Sequence, residues 1–212
     1  YFDKNTNVES KEVTIKVEIK GIFYTFKTDN NVFSKKGLDF GTRTLLENLD
    51  TKKIGGDILD FGCGSGRDTK YFLDKRFLVT ATDGSVELCK FASELSGIEV
   101  KQMFFEELSE IETYDGIWAC SSILHLPYAE LKDVIQKMIC AVKSGGIIYT
   151  SFKYGTFEGE RNGRYFTDMD EATLNEFLQN FSDVKLEALW VKGDVRPDRS
   201  AEKWLNLILR KS

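Results

Sequence analysis

Asp60 ends the apolar run Ile58-Leu59-Asp60-Phe61, and glycine then stands at positions 62, 64 and 66 before a helix-like stretch opens at Arg67. Three alternating glycines let a turn bend sharply and bring backbone amides against a ligand with no Cβ in the way. A second acid, Asp83, ends the next apolar run, Val79-Thr80-Ala81-Thr82-Asp83. A carboxylate one strand beyond a glycine-rich turn is placed to take both hydroxyls of a ribose. These residues point to a nucleotide-like ligand. In the dinucleotide fingerprint the third glycine would fall at position 67, which is Arg67. The close packing against a pyrophosphate is lost, and nicotinamide dinucleotides are disfavoured.

Further candidates lie downstream. His125 is the single histidine and the only side chain whose ordinary pKa lies near neutrality, so it is the candidate base; the plainer reading is a packing residue. Lys153–Asp168 reads as a long functional loop carrying Tyr154, Arg161 and Arg164. If Arg161, Arg164 and Arg196 converge, they suit a carboxylate or oxyanion, which guanidinium binds bidentately. The alternative is that they pair with Glu158, Glu160, Asp194 and Asp198. Cys120 and Ser121 read as strand-end packing.

The elements that would position these residues alternate. The spacing predicts strands at Asp57–Phe61, Phe77–Thr82, Ile98–Met103, Tyr114–Cys120 and Gly146–Phe152, with helices near Arg67–Lys75, Ser85–Leu95 and Tyr128–Val142. Ser85 is the expected N-cap of the second helix, and Ser144-Gly145-Gly146 the expected close of the third. Leu131, Val134, Ile135, Met138 and Ile139 mark the third helix's buried face. A helix over Glu171–Asn180 and strands at Val184–Val191 and Lys203–Arg210 complete the series. Such alternation implies right-handed crossovers and an α/β, doubly wound, mostly parallel sheet, with ligands beyond the carboxyl ends of its strands. Ahead of it, Lys11–Thr28 alternates about Lys20-Gly21 as a β-hairpin, and Leu38–Leu49 reads as a helix. Residues 1–50 are therefore an extension and 51–212 the domain.

With 212 residues, a net charge of -5 and no run near the length of a membrane helix, the chain is expected to be a cytoplasmic domain without nucleic-acid-like partners by bulk charge. Its four cysteines show no C-x-x-C spacing, which argues for reduced thiols and against a zinc site.

The turn "DFGCGSG", with Asp83, resembles motif I and the ribose-binding acid of class I S-adenosylmethionine-dependent methyltransferases. "AVKSGGIIYTSF" is similar to that family's approach to its fifth strand, and the likeness covers most of Ile54–Phe152. It implies a seven-stranded Rossmann-like sheet with the last strand antiparallel. It also implies S-adenosylmethionine as cofactor and S-adenosylhomocysteine as product. The cofactor contacts implied are Asp60, Gly62, Cys63, Gly64, Gly66, Asp83 and Gly84, with Phe105 and Glu106 near the adenine and no metal. Phe104 stands where the family usually has an acid and reads as a core residue. "FKTDNNVFSKKGLDFGTRTLLENL" resembles the start of small-subunit ribosomal RNA guanine-N2 methyltransferases. "CGSGRDTKYF", "YDGIWACSSILHLP" and "SFKYGTFEGERNGRYFTD" resemble small bacterial methyltransferases related to tellurite-resistance proteins. The chain reads as a composite of the two.

Methylating an exocyclic base amine uses an Asn-Pro-Pro-aromatic stretch after strand four in the RNA family. Here that place reads "ACSSILHLP", and Tyr1 to Phe40 is nearly charge-balanced. The expectation is methyl transfer to a small molecule, anionic if the arginines converge. An rRNA methyltransferase and a non-catalytic cofactor-binding module are the alternatives, and the oligomeric state is left open.

Overall fold

The structure is a computed structural model describing residues 12–19, 22–29, 56–194, 199 and 201–212. The N-terminal hairpin forms: β1 (Glu12–Ile19) and β2 (Ile22–Asp29) pair antiparallel, with Ile19 opposite Ile22. The helix expected over residues 38–49 and Arg196 both lie outside the described residues.

The strands that follow are β3 (Asp57–Phe61), β4 (Leu78–Asp83), β5 (Lys101–Gln102), β6 (Tyr114–Ala119) and β7 (Val142–Lys153). After these come a hairpin, β8 (Glu158–Arg161) and β9 (Arg164–Thr167), and two long strands, β10 (Val184–Gly193) and β11 (Lys203–Lys211). The main sheet has seven strands in the order β10-β11-β7-β6-β3-β4-β5. β3, β4, β5, β6 and β7 run parallel, and β11 is antiparallel to both its neighbours. The doubly wound expectation therefore holds. From β3 the chain first builds outward through β4 and β5, then returns to build through β6 on the other side. The switch point lies between β3 and β6, and open sheets of this kind bind their ligands in a crevice beyond the strands' carboxyl ends at such a point.

Among the described residues four helices cover the sheet: α1 (Arg67–Asp74), α2 (Val86–Ser96), α3 (Tyr128–Ala141) and α4 (Glu171–Leu178). On one face, Leu131, Val134, Ile135, Met138 and Ile139 of α3 and Leu174 and Phe177 of α4 pack on Leu59, Phe61, Ile117 and Ile148. On the other, Tyr71 and Phe72 of α1 pack on Ile58, Trp118 and Tyr149, while Cys89 and Ala92 of α2 pack on Ala81. Ser85 caps α2 as expected, its Oγ accepting the Leu88 N–H.

Three expectations are corrected. Strand β5 is only two residues long, because the Ser93 hydroxyl takes the Val100 N–H at 2.9 Å before the ladder can begin. Ser144-Gly145-Gly146 does not close α3. The helix stops at Ala141, Val142 is already extended opposite Tyr114, and the glycines form a bulge inside β7, with Gly145 at φ 76°. The stretch after β7 is not a bare loop. Glu158–Thr167 is a tight hairpin whose two turn residues, Asn162 and Gly163, have φ 50° and 74°, the pattern that Asn-Gly favours in a two-residue connection.

Leu131 is fully buried and Leu78, at the start of β4, is 69% exposed. Leu131→Ala is therefore expected to cost about 2–5 kcal/mol and Leu78→Ala under about 0.5 kcal/mol, read by urea denaturation.

Candidate functional site

The turn after β3 is held by the strand beside it. The Gly62 and Cys63 amides both donate to the Thr82 carbonyl at 2.9 Å, and Gly62, Gly64 and Gly66 have φ 78°, 56° and 77°. Their side-chain positions differ in kind. A Cβ at Gly62 would come within 2.6 Å of the Ser122 Cβ, and one at Gly66 within 2.9 Å of the Ala92 backbone. One at Gly64 would meet nothing within 4 Å. Two of the glycines thus let the turn nest against its neighbours, and the middle one opens onto the crevice. The bare backbone expected from the sequence is exposed at Gly64.

Asp83 ties this turn to α2: its carboxylate accepts the Gly64 N–H through one oxygen and the Ser85 N–H through the other, each at 2.9 Å. A carboxylate has about four acceptor sites, so two lone pairs remain for hydroxyls. Asp60 is 2% exposed and accepts the Thr69 hydroxyl at 2.5 Å. Burial, then the Asp68 charge, then Asp83 push its pKa well above the ordinary carboxyl value, with only the Thr69 hydrogen bonds acting the other way. Asp68 in turn accepts the Trp118 indole N–H at 2.7 Å. Cys63 lies beside these acids, and burial first, then Asp60 and Asp83, raise its thiol pKa. Cys63, Cys89, Cys120 and Cys140 are free thiols. The acids at this end of the sheet, Asp60 buried and Asp68 and Asp83 half-buried, fit a cation-bearing adenosyl group better than a polyphosphate.

The phenylalanines exchange the roles expected of them. Phe104 is not core: it is 52% exposed, and its ring lies against Gly84, where an added Cβ would sit 3.2 Å away. Phe105 is the one that packs inward, edge-on to Phe61 with ring centroids 4.9 Å apart. The short 3-10 turn Phe105–Glu107 is responsible: Glu107 caps the Phe104 N–H and turns the next ring into the core. Glu106 follows on that turn, its carbonyl accepting the Lys137 ammonium.

The second wall of the crevice follows β6. Ser122 donates to the Phe61 carbonyl at 2.8 Å, joining this segment to the end of β3. A 3-10 turn, Ile123–His125, then carries the imidazole to the hairpin. His125 Nδ1 lies 2.8 Å from the Tyr165 carbonyl. A carbonyl only accepts, so Nδ1 carries the proton and Nε2 keeps a lone pair. The ring stands edge-on to Phe166 at 4.7 Å. Burial holds the imidazole below its ordinary pKa; the Tyr165 bond opposes that shift and the Arg164 charge adds to it.

The hairpin is pinned above this wall. Glu158 accepts the Tyr128 N–H at the start of α3 and the Tyr165 hydroxyl, while Thr167 donates to the Leu126 carbonyl. Arg161 pairs with Asp168 and lies over the rings of Phe157 and Phe166. Tyr154 is turned outward, its hydroxyl donating to Glu171 at 2.8 Å. The structure therefore brings Asp60, Gly62, Gly64, Gly66 and Asp83 together at one wall and His125 with Arg164 near the other. Thr69 and Ser122, which help fix these groups, were not singled out from the sequence; Glu158 was named there only as a partner for the arginines, and it accepts from Tyr128 and Tyr165 instead. Only Thr69 had a signal there, as a hydroxyl on the helix that the glycine turn opens.

A parallel sheet with one reversed strand, a glycine turn at its switch point and an acid ending the next strand make up the Rossmann-like methyltransferase fold. Residues 23–144 match the family described as Methyltransferase small domain, and the chain belongs to that family. It is 30% identical over 132 residues to the uncharacterized protein YbxB of Bacillus subtilis strain 168, covering 60% of this chain and 65% of that protein. It is 36% identical over 164 residues to the ribosomal RNA small subunit methyltransferase C of Shewanella halifaxensis, covering 73% and 47%. The chain thus spans less than two thirds of either relative. Among solved structures, the 1,6-didemethyltoxoflavin-N1-methyltransferase of Burkholderia thailandensis, with bound 1,6-didemethyltoxoflavin and S-adenosylhomocysteine, shares the fold. Its TM-score is 0.62 at 21% identity, covering 74% of this chain and 71% of that one. Among the described residues no helix is long and apolar enough to cross a membrane.

The raised Asp60 pKa has a consequence for stability. The folded protein holds this proton more tightly than the unfolded chain, so the contribution is full below the ordinary carboxyl pKa of about 3.9 and is lost as pH rises through the folded value. By neutral pH, above the unfolded value, the cofactor-free fold has given up part or all of that contribution. Asp60→Asn, which still accepts from Thr69, is expected to raise the melting temperature at pH 7, with the difference shrinking toward pH 3. An equal or lower melting temperature at pH 7 would contradict the assignment.

Proposed function

We propose that this chain transfers the methyl group of S-adenosylmethionine to a small acceptor that carries a removable proton. When bound, the cofactor supplies an electrophilic methyl on its sulfonium and leaves as S-adenosylhomocysteine. Asp83 holds the ribose hydroxyls, the Gly62–Gly66 backbone, Cys63 included, lies along the cofactor, and Asp60 faces its cationic end. Gly84 and Phe104 offer a bare surface and an exposed ring for the adenine to stack on, with Phe105 supporting from below and Glu106 at the rim.

The observation that carries the acceptor reading is the imidazole tautomer. With Nδ1–H given to the Tyr165 carbonyl, Nε2 of His125 is left as a proton acceptor on the wall opposite the glycine turn. Methyl transfer rests mostly on orientation, and a base is required only where the acceptor has a proton to lose. A base here favours a hydroxyl, a hydroxylated heterocycle or an acidic N–H. Arg164, near enough to act on the imidazole's charge, is the guanidinium we assign to an anionic group on the acceptor. Arg161 supports it through the hairpin, held by Asp168, and Tyr154 supports it from the outer edge through Glu171.

The Shewanella relative favours a second reading, methylation of small-subunit ribosomal RNA, which the resemblance of the N-terminal segment would place at guanine N2. The segment Ala119–Pro127 weighs against it, since it offers serines and a histidine where that chemistry uses an asparagine amide. Labelled methyl from S-adenosylmethionine, supplied to a cell extract, is expected in the low-mass fraction; label in ribosomal RNA would move the assignment to the second reading. Cofactor binding with label in neither fraction would leave a binding module.

Two measurements follow from the residue roles. Asp83→Ala is expected to weaken cofactor binding by about tenfold or more in calorimetry, the loss of charged hydrogen bonds. Because His125 must be neutral to accept a proton, the rate is expected to rise with pH through a value below about 6.5 and to be flat above it. His125→Gln is expected to lower the plateau and abolish that acid limb.

A further inference from the structure

Four described non-glycine residues have positive φ: Arg76, Glu112, Ser121 and Asn162. Arg76 and Glu112 are exposed, and Asn162 forms the hairpin turn, where this conformation is expected. Ser121, at φ 52°, is different. It stands between the end of β6 and the 3-10 turn that delivers His125, beside the Ser122 contact to the cofactor wall. A left-handed conformation is strained for a non-glycine residue and persists only where its surroundings enforce it.

What enforces it is Ser151. This residue is 0% exposed on β7, and its Oγ accepts the Ser121 N–H at 2.9 Å. The two hydroxyls also approach to 3.4 Å. One such buried bond is of the same order as the strain it opposes. Immediately afterward the His125 N–H closes on the Ser122 carbonyl at 3.3 Å, so the direction set at Ser121 passes directly into the turn that bears the imidazole.

We infer that Ser151 is a positioning residue for His125: its buried hydroxyl holds Ser121 left-handed, and that bend aims the imidazole at the Tyr165 carbonyl and its free nitrogen at the acceptor. The inference rests on the proposed role of His125 as base. It requires the backbone of Ser121, not its hydroxyl, so glycine at 121 reaches the same bend without help.

The groups that face His125 are Tyr165 and Arg164 on β9, with Glu158 on β8 and Tyr128 on α3 linked to them through the Tyr165 hydroxyl and the Glu158 carboxylate. None changes in the variants below. As the chain's only histidine, His125 gives unambiguous ring-nitrogen resonances in a 15N-labelled sample. The expected result for Ser151→Ala is a His125 pKa returned toward about 6.5 and mixed tautomers. Label transfer to the low-mass extract at pH 7 should fall about tenfold, the worth of one lost hydrogen bond. Cofactor affinity in calorimetry stays at the wild-type value. Ser121→Gly combined with Ser151→Ala restores both the titration and the rate, and Ser151→Cys, nearly isosteric with a weaker acceptor, moves both in the same direction by less. Unchanged titration and rate in Ser151→Ala, or no recovery in the double variant, overturns the inference while leaving the role of His125 intact. A wild-type protein that binds cofactor but transfers no label overturns that role and the inference with it.

Discussion

Asp60 is nearly excluded from water, and the groups acting on it are two further acids and the hydroxyl and backbone amide of Thr69. Removing a carboxylate from water is costly unless a cation or several hydrogen bonds compensate, and here the two Thr69 groups do so without a cation. The rest of the site is arranged around that deficit. The sheet's switch point places Asp60 and Asp83 on adjacent strands, α1 brings Asp68 and Thr69, and the open side of Gly64 gives access. An ammonium and a sulfonium are the kind of charge such a cluster lacks. Stability given up in the cofactor-free protein becomes binding free energy when a cation arrives.

The two walls of the crevice are not independent. Ser122 joins the segment after β6 to the end of β3, and the same segment leads through Ser121 to His125. The cofactor turn and the proposed base are therefore set relative to each other by the Ser122 hydroxyl's bond to Phe61 and the short run of chain from Ser122 to His125. The β8–β9 hairpin completes the arrangement, since its Tyr165 carbonyl fixes the tautomer and its Glu158 takes an otherwise unmade hydrogen bond at the start of α3. Such short connections suit a reaction governed by orientation.

Periodicity and turn chemistry made most of the sheet and the cofactor wall legible in the sequence. Alternation of apolar runs placed the strands, and glycine spacing with two strand-end acids located the crevice. What escaped depended on long-range partners. Strand β5 began late because a serine on α2 captured the Val100 amide before it, and α3 ended early because β6 paired with Val142. Phe104 and Phe105 are chemically alike, and only the 3-10 turn decides which ring is exposed. The hairpin was readable from Asn162-Gly163, but the density of charged residues around it suggested a loop. The strain at Ser121 has no local signature, because the hydroxyl that sustains it lies thirty residues away on β7.

The most direct test is a carbon-13 NMR titration of the Asp60 carboxyl with and without S-adenosylmethionine. The account predicts a pKa raised well above the ordinary value in the free protein and a clear fall when the cofactor binds, as its cation offsets the neighbouring acids. A titration that does not move on binding, or that starts at the ordinary carboxyl value, would contradict it.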